Sequence, residues 1–266
     1  MAEQEIVDAE IVEETPAPQG PLKVAVIGNN LLSESTARAF NVPRGVEVET
    51  YTSEPDDIDR CLEDKPSVVF WCDEIVIKKN DTLDDADFLA SLQKIIRGVG
   101  AGVCIRSAIN MELHDRLFML MTKEVVDAKI VYMPDLTDGT DTQSMIHSGM
   151  HVIGGSQDAI RAHMGILRSM SWFGAGKLQT GTFAEAVYTK LAVSGYRLVQ
   201  QKFFDEVHDA VLDMKGANPM IVSRLAFEAL NVSVLPSHVN GNDVYDARLF
   251  SGATDKLTLL ESCLEN

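Results

Sequence analysis

Along most of the chain, short continuous apolar runs alternate with amphipathic stretches. Leu22–Ile27 (LKVAVI) is rich in β-branched residues and reads as a buried strand. It runs straight into the turn Gly28-Asn29-Asn30 and then into a helix over residues 33–40. Alternation over 46–52 predicts a second strand, 56–62 a short helix, and 67–72 (SVVFWC) a third strand. The same rhythm predicts a helix over 85–97, a strand over 102–106, a helix over 111–121 and a strand over 129–132. A short strand over 151–154 and a helix over 157–170 complete it. Strands apolar on both faces and separated by helices predict an α/β fold whose sheet is mostly parallel and covered on both sides.

The period changes at about residue 182. Residues 183–214 read as one helix of about 30 residues, long for a globular protein and suited to a central spine or a subunit contact. Gly216–Pro219 ends it, 220–230 forms a second helix, and a loop over 237–246 precedes a last helix near 254–264. Residues 1–20 carry six acids, no base and two prolines, a composition that builds no core. The chain therefore divides into a flexible acidic leader (1–20), a Rossmann-like domain (21–181) and an all-helical domain (182–266).

With 45% hydrophobic residues the chain can fill a core, so function classes that rest on wholesale disorder drop out. Its net charge of −17 argues against a nucleic-acid backbone or an anionic membrane as partner. The four cysteines (Cys61, Cys72, Cys104 and Cys263) are widely spaced without a CxxC pair, which fits reduced thiols in a cytoplasmic protein and not a zinc site. His208 has acidic neighbours but lacks metal-ligand spacing, so no metal is expected. Neither a signal-peptide pattern nor an apolar run of membrane-spanning length is evident.

The turn after the first strand carries candidate chemistry. Strand, glycine turn and helix N-terminus form an anion site when successive glycines admit a diphosphate to the backbone. Gly28 stands at the first such position, with Asn30 and Ser33 at the other two and Leu31 between them. Asparagine tolerates the left-handed conformation, but its side chain takes space a diphosphate needs. Ser33 is small, or a helix cap. Glu49 is the acid nearest the end of the second strand, where a dinucleotide ribose is held. Both an NAD site and a turn that has lost its ligand remain open on these residues.

Several stretches together resemble the UDP-glucose/GDP-mannose dehydrogenase family. Tyr132-Met133-Pro134-Asp135-Leu136-Thr137-Asp138-Gly139 looks like a shortened form of its proline-glutamate-phenylalanine-leucine-x-glutamate-glycine loop. His151-Val152-Ile153-Gly154-Gly155 is similar to its R-I-V-I-G-G segment, and Arg106-Ser107-Ala108 to its lysine-serine-threonine stretch. Residues 184–192 (AEAVYTKLA) resemble the helix that carries E-x-x-K-x-x-x-N. The resemblance implies NAD-dependent oxidation of a nucleotide sugar through a covalent cysteine intermediate, and a homodimer assembled on the long helix. It implies Lys190 as the oxyanion-steadying lysine, Ser194 in the asparagine's place, and Asp135 and Asp138 as the loop acids. The cysteine loop corresponds to residues 248–255, where Ser251 replaces the cysteine and Asp255 matches the terminal aspartate. Serine is the weaker nucleophile. The family's final nucleotide-sugar-binding domain is also expected to be missing. Two functions follow as expectations: a dehydrogenase of impaired or lost activity, or a non-catalytic structural or interaction protein that uses the fold as an oligomerisation scaffold. Structural readings stand beside the chemical ones, with Lys190 as a surface lysine and Asp135 and Asp138 as turn formers.

Overall fold

The computed structural model describes residues 22–40, 45–74, 76–77, 83–84, 86–99, 102–109, 111–123, 129–137, 150–168, 170, 177–212 and 214–229. Strands are β1 (Leu22–Ile27), β2 (Val46–Tyr51), β3 (Val68–Trp71), β4 (Val76–Ile77), β5 (Leu83–Asp84), β6 (Gly102–Ile105), β7 (Ile130–Tyr132), β8 (Met150–Gly155) and β9 (Lys177–Gly181). Helices are α1 (Leu31–Ala39), α2 (Pro55–Glu63), α3 (Ala86–Val99), α4 (Met111–Lys123), α5 (Gln157–Leu167), α6 (Phe183–Leu212) and α7 (Pro219–Ala229). Seven strands form one sheet in the order β2-β1-β3-β6-β7-β8-β9. Every pairing in it is parallel except β7 with β8.

Period-2 alternation explains how the sheet is buried on both sides. Ala25, Ile27, Val69, Trp71, Val103, Ile105, Ile130 and Tyr132 face one core, closed by α2, α3, α4 and the first turns of α6. Val24, Val26, Val68, Phe70, Cys104 and Val131 face the other, closed by α1 and α5. The small strands β4 and β5 and the edge strand β9 have no counterpart in the sequence reading. β9 (KLQTG) carries no apolar alternation, and its five-residue parallel register with β8 makes it a strand. α5 ends at Leu167, three residues before the expected end, with Arg168 as its C-cap. The leader and the helix expected over 254–264 lie outside the described residues.

The long helix begins inside the sheet's core. Thr182 and Glu185 form a capping box: the Glu185 carboxylate accepts the Thr182 N–H at 2.6 Å, and the Thr182 hydroxyl accepts the Glu185 N–H at 3.2 Å. Phe183, Ala186, Val187 and Leu191 then join the cluster that holds Ile27 and Trp71. Gly154 of β8 permits this approach, because a Cβ there would lie 2.5 Å from the Thr182 carbonyl and 2.9 Å from the Phe183 Cα. On the opposite face the His163 ring covers Gly102, its Nδ1 2.8 Å from the Ala159 carbonyl oxygen and its Nε2 buried without a partner. Burial pushes the His163 pKa down, assisted by the Lys129 charge and opposed by the Ala159 bond.

Two predictions follow from this packing. Gly154→Ala forces backbone against backbone and is expected to destabilise the protein by about 2–3 kcal/mol, read as a lower urea midpoint; an unchanged midpoint refutes the close-packing account. The unfolded chain takes up a His163 proton near pH 6.5, before the folded one does, so stability is full above that pH and falls below it. A melting series from pH 7.5 to 5.5 should slope less in His163→Leu than in the wild type, and parallel slopes exclude this histidine as the cause.

Candidate functional site

β1 is flanked by β2 on one side and β3 on the other, so the chain reverses its direction of build-out there. The crevice beyond the carboxyl ends of such strands is where open α/β sheets bind ligands. Gly28 lines it with φ +142°, its N–H donating to the Tyr51 carbonyl at 2.8 Å. A Cβ at Gly28 would lie 3.0 Å from the Asp73 nitrogen, 3.1 Å from the Cys72 carbonyl carbon and 3.2 Å from the Ser33 Cβ. Only glycine fits this turn.

Asn30 does not use the left-handed conformation open to it. Its backbone is extended, at φ −145° and ψ 177°, rather than left-handed, because it serves as the N-cap of α1. Its Oδ1 accepts the Ser33 N–H at 2.9 Å, and the Ser33 hydroxyl accepts the Asn30 N–H at 3.0 Å. The Asn30 Nδ2 donates across the crevice to the Cys72 carbonyl at 2.8 Å. Ser33 is buried, and half-buried Leu31 begins the helix. Beside the turn, the Ser53 hydroxyl donates to the Asp73 carboxylate and the Ser107 hydroxyl to the Asp73 carbonyl.

Glu49 does not sit at the ribose position. It lies two residues before the end of β2 and accepts a bond from the Tyr51 hydroxyl at 2.9 Å, which also reaches Asp64 at 2.7 Å. Burial, then the bonds to Asp64 and Glu49, raise the Tyr51 pKa. Glu49, Tyr51 and Asp64 line a shallow cleft with Lys23 and Pro66, toward the amino ends of the strands and away from the glycine turn. At the carboxyl end of β2, Thr52 donates its N–H (3.0 Å) and hydroxyl (2.7 Å) to Asp57 and holds that carboxyl below its usual range. The residues at this turn do not suit the NAD that the fold family implies: the Asn30 side chain lies where a diphosphate would need space, and the Asn30 and Ser33 N–H groups are already bonded.

A second polar cluster lies where α6 meets the loop after β7. Lys190 and Ser194 are buried one helical turn apart on the sheet-facing side. Arg197 continues that face and donates to the Leu136 carbonyl and, at 2.6 Å, to the Thr137 carbonyl. Asp135 accepts the Thr137 N–H (3.2 Å) and hydroxyl (2.7 Å), so its carboxylate shapes the loop as an Asx turn. The structure thus brings Lys190 and Ser194 onto one helix face, with the Asp135 loop tied to the next turn of the same face. Asp138, Ser251 and Asp255 lie outside the described residues. Glu185 stands five residues before Lys190, so the three-residue step of E-x-x-K from this capping glutamate lands on exposed Tyr188. Arg106 is buried, donating to Thr36 at 2.5 Å and to the Met133 carbonyl at 3.3 Å. The sequence reading missed Arg197, although its spacing of seven from Lys190 on a helix signals a shared face.

Burial pushes the Cys61 thiol up to about 12 and the Cys72 thiol up to about 11, so neither is poised as a nucleophile. Among the described residues no cluster of His, Cys, Asp and Glu could hold a metal ion, and no helix is long and apolar enough to cross a membrane.

No protein-family model matches the chain, and no curated protein matches it in sequence. Solved structures do match. A UDP-D-ManNAc dehydrogenase of Pyrococcus horikoshii superposes with a TM-score of 0.72 at 18% identity, over 91% of this chain and 67% of that one. A UDP-glucose dehydrogenase of Pyrobaculum islandicum gives 0.68 at 16%, over 94% and 69%. A GDP-mannose dehydrogenase of Pseudomonas aeruginosa, solved as a ternary complex, gives 0.62 at 15%, over 91% and 67%. The chain has the fold of these enzymes.

Arg197→Ala leaves the Leu136 and Thr137 carbonyls short of a charged donor and is expected to cost about 1.5–3 kcal/mol. Hydrogen exchange should show faster exchange in the 133–137 loop; an unaltered loop refutes the tie to α6.

Proposed function

Starting from the fold of the nucleotide-sugar dehydrogenases, we propose that this chain is a divergent relative in which NAD-dependent oxidation of a nucleotide sugar is impaired or lost. It works instead as a structural or interaction protein that uses the fold as a cytoplasmic oligomerisation scaffold. The observation that carries the reading is the division of labour on α6. Its inward face buries Lys190 and Ser194 and ties Arg197 to the Leu136 and Thr137 carbonyls. Its capping glutamate is out of step with Lys190. Its outward face carries exposed Tyr188, Tyr196 and Phe203. At about 100° per residue these three fall within about 80° of one another, centred roughly opposite Ser194. Aromatic side chains exposed in one stripe along a helix suit burial against another helix. A homodimer through this stripe is the assembly proposed.

One observation favours retained chemistry. Buried Lys190 lies a turn from Ser194, where a cation would act strongly on a developing alkoxide.

The two readings separate by experiment. Light scattering on purified protein should give a dimer or larger assembly, and Tyr196→Glu combined with Phe203→Glu should give a folded monomer. Incubation with NAD and UDP-sugars should release no NADH. NADH formed above the level of a Lys190→Ala control overturns the loss of oxidation, and a monomeric wild type overturns the scaffold.

A further inference from the structure

Where the fold presents a dinucleotide turn, the side chains of this chain answer the turn's own hydrogen-bonding demands. A diphosphate is held at such a turn by N–H groups at the start of the helix, and reaches them only if small residues leave the space clear. The Ser33 N–H is bonded to the Asn30 Oδ1 and the Asn30 N–H to the Ser33 hydroxyl. The Asn30 carboxamide also reaches the Cys72 carbonyl, so the side chain lies across the crevice between β1 and β3. One amide therefore caps the helix, fills the approach and staples its two walls. The wall is close on the far side too, since the Asp73 nitrogen is 3.0 Å from a Cβ placed on Gly28. The carboxylate of the same Asp73, held by Ser53, adds a negative charge beside the entrance.

We infer that Asn30 and Ser33 act as an internal latch that closes the dinucleotide turn to diphosphates, and that removing the two side chains reopens it. The inference rests on the proposed loss of NAD-dependent oxidation and gives that loss a specific cause at the cofactor end. Asn30→Gly is suited to the test because glycine is itself an acceptable N-cap and reaches the extended conformation found here. Asn30→Asp is the control. It keeps the oxygen that caps Ser33 but removes the donor to Cys72, and it adds charge against a diphosphate.

The experiment is calorimetric titration of the full chain with NAD and with ADP-ribose, alongside melting curves for each variant. The wild type and Asn30→Asp should give no heat up to millimolar ligand. The Asn30→Gly, Ser33→Gly double variant should bind at least tenfold more tightly than the wild type and melt at a higher temperature with ligand present. A folded double variant that binds no better than the wild type overturns the latch while leaving the loss of oxidation standing. Wild-type protein that binds NAD below millimolar concentration overturns the latch directly. If the double variant fails to fold, Asn30→Gly alone decides by the same comparison. Turnover of a UDP-sugar by the wild type is a separate result, and it sinks the proposed function.

Discussion

The structure hangs on the passage of the chain out of β1 at Gly28. β1 is the strand from which the sheet grows in both directions, and its residues are divided between the two cores. At its end the backbone must turn into α1 where a Cβ would lie about 3 Å from the Cys72 and Asp73 backbone, a clearance that admits no side chain. Once that turn is made, α1 is placed over the core of Val26, Phe70 and Cys104, and the remaining helices distribute themselves over the two faces. Packing a parallel sheet on both sides is what makes the long apolar runs compatible with water.

A second regularity concerns the carbonyl groups at the carboxyl ends of the strands. Strand ends leave backbone acceptors without ladder partners, and buried acceptors need donors. Here the Cys72 carbonyl accepts from Asn30, the Asp73 carbonyl from Ser107, the Met133 carbonyl from Arg106, and the Leu136 and Thr137 carbonyls from Arg197. The ledge on which an open α/β sheet usually meets its ligand is therefore satisfied from within. Arg106 also bonds Thr36 of α1, and Arg197 belongs to α6, so the same bonds fasten helices of both layers to the sheet.

Much of the fold was legible in the order of apolar runs. β1 matches its predicted residues, and the starts of α4, α5 and α6 coincide with the reading. β9 was not legible, because a polar edge strand is made by its neighbour's backbone and carries little side-chain signal. At the candidate site the legible part was the residue set: Gly28, Asn30 and Ser33 as departures from a glycine turn, and Lys190 with Ser194 on one face. What each does was not. The Asn30 carboxamide is held by the Cys72 carbonyl, 42 residues away in sequence, a partner that no local pattern announces. Glu49 looked well placed by its distance along β2, yet Tyr51 draws it toward Asp64 at the other end of the strands.

By itself, then, the sequence determined the alternation of strands and helices, the two-faced burial of the sheet and the length of α6, because these follow from periodicities that each segment carries alone. Tertiary structure decided the rest. It laid the Asn30 carboxamide against the Cys72 carbonyl, turned the Tyr51 hydroxyl to Asp64, and set Arg197 against the loop after β7. These are choices among partners remote in sequence, and a polar side chain's role depends on which donors and acceptors the fold brings within about 3 Å.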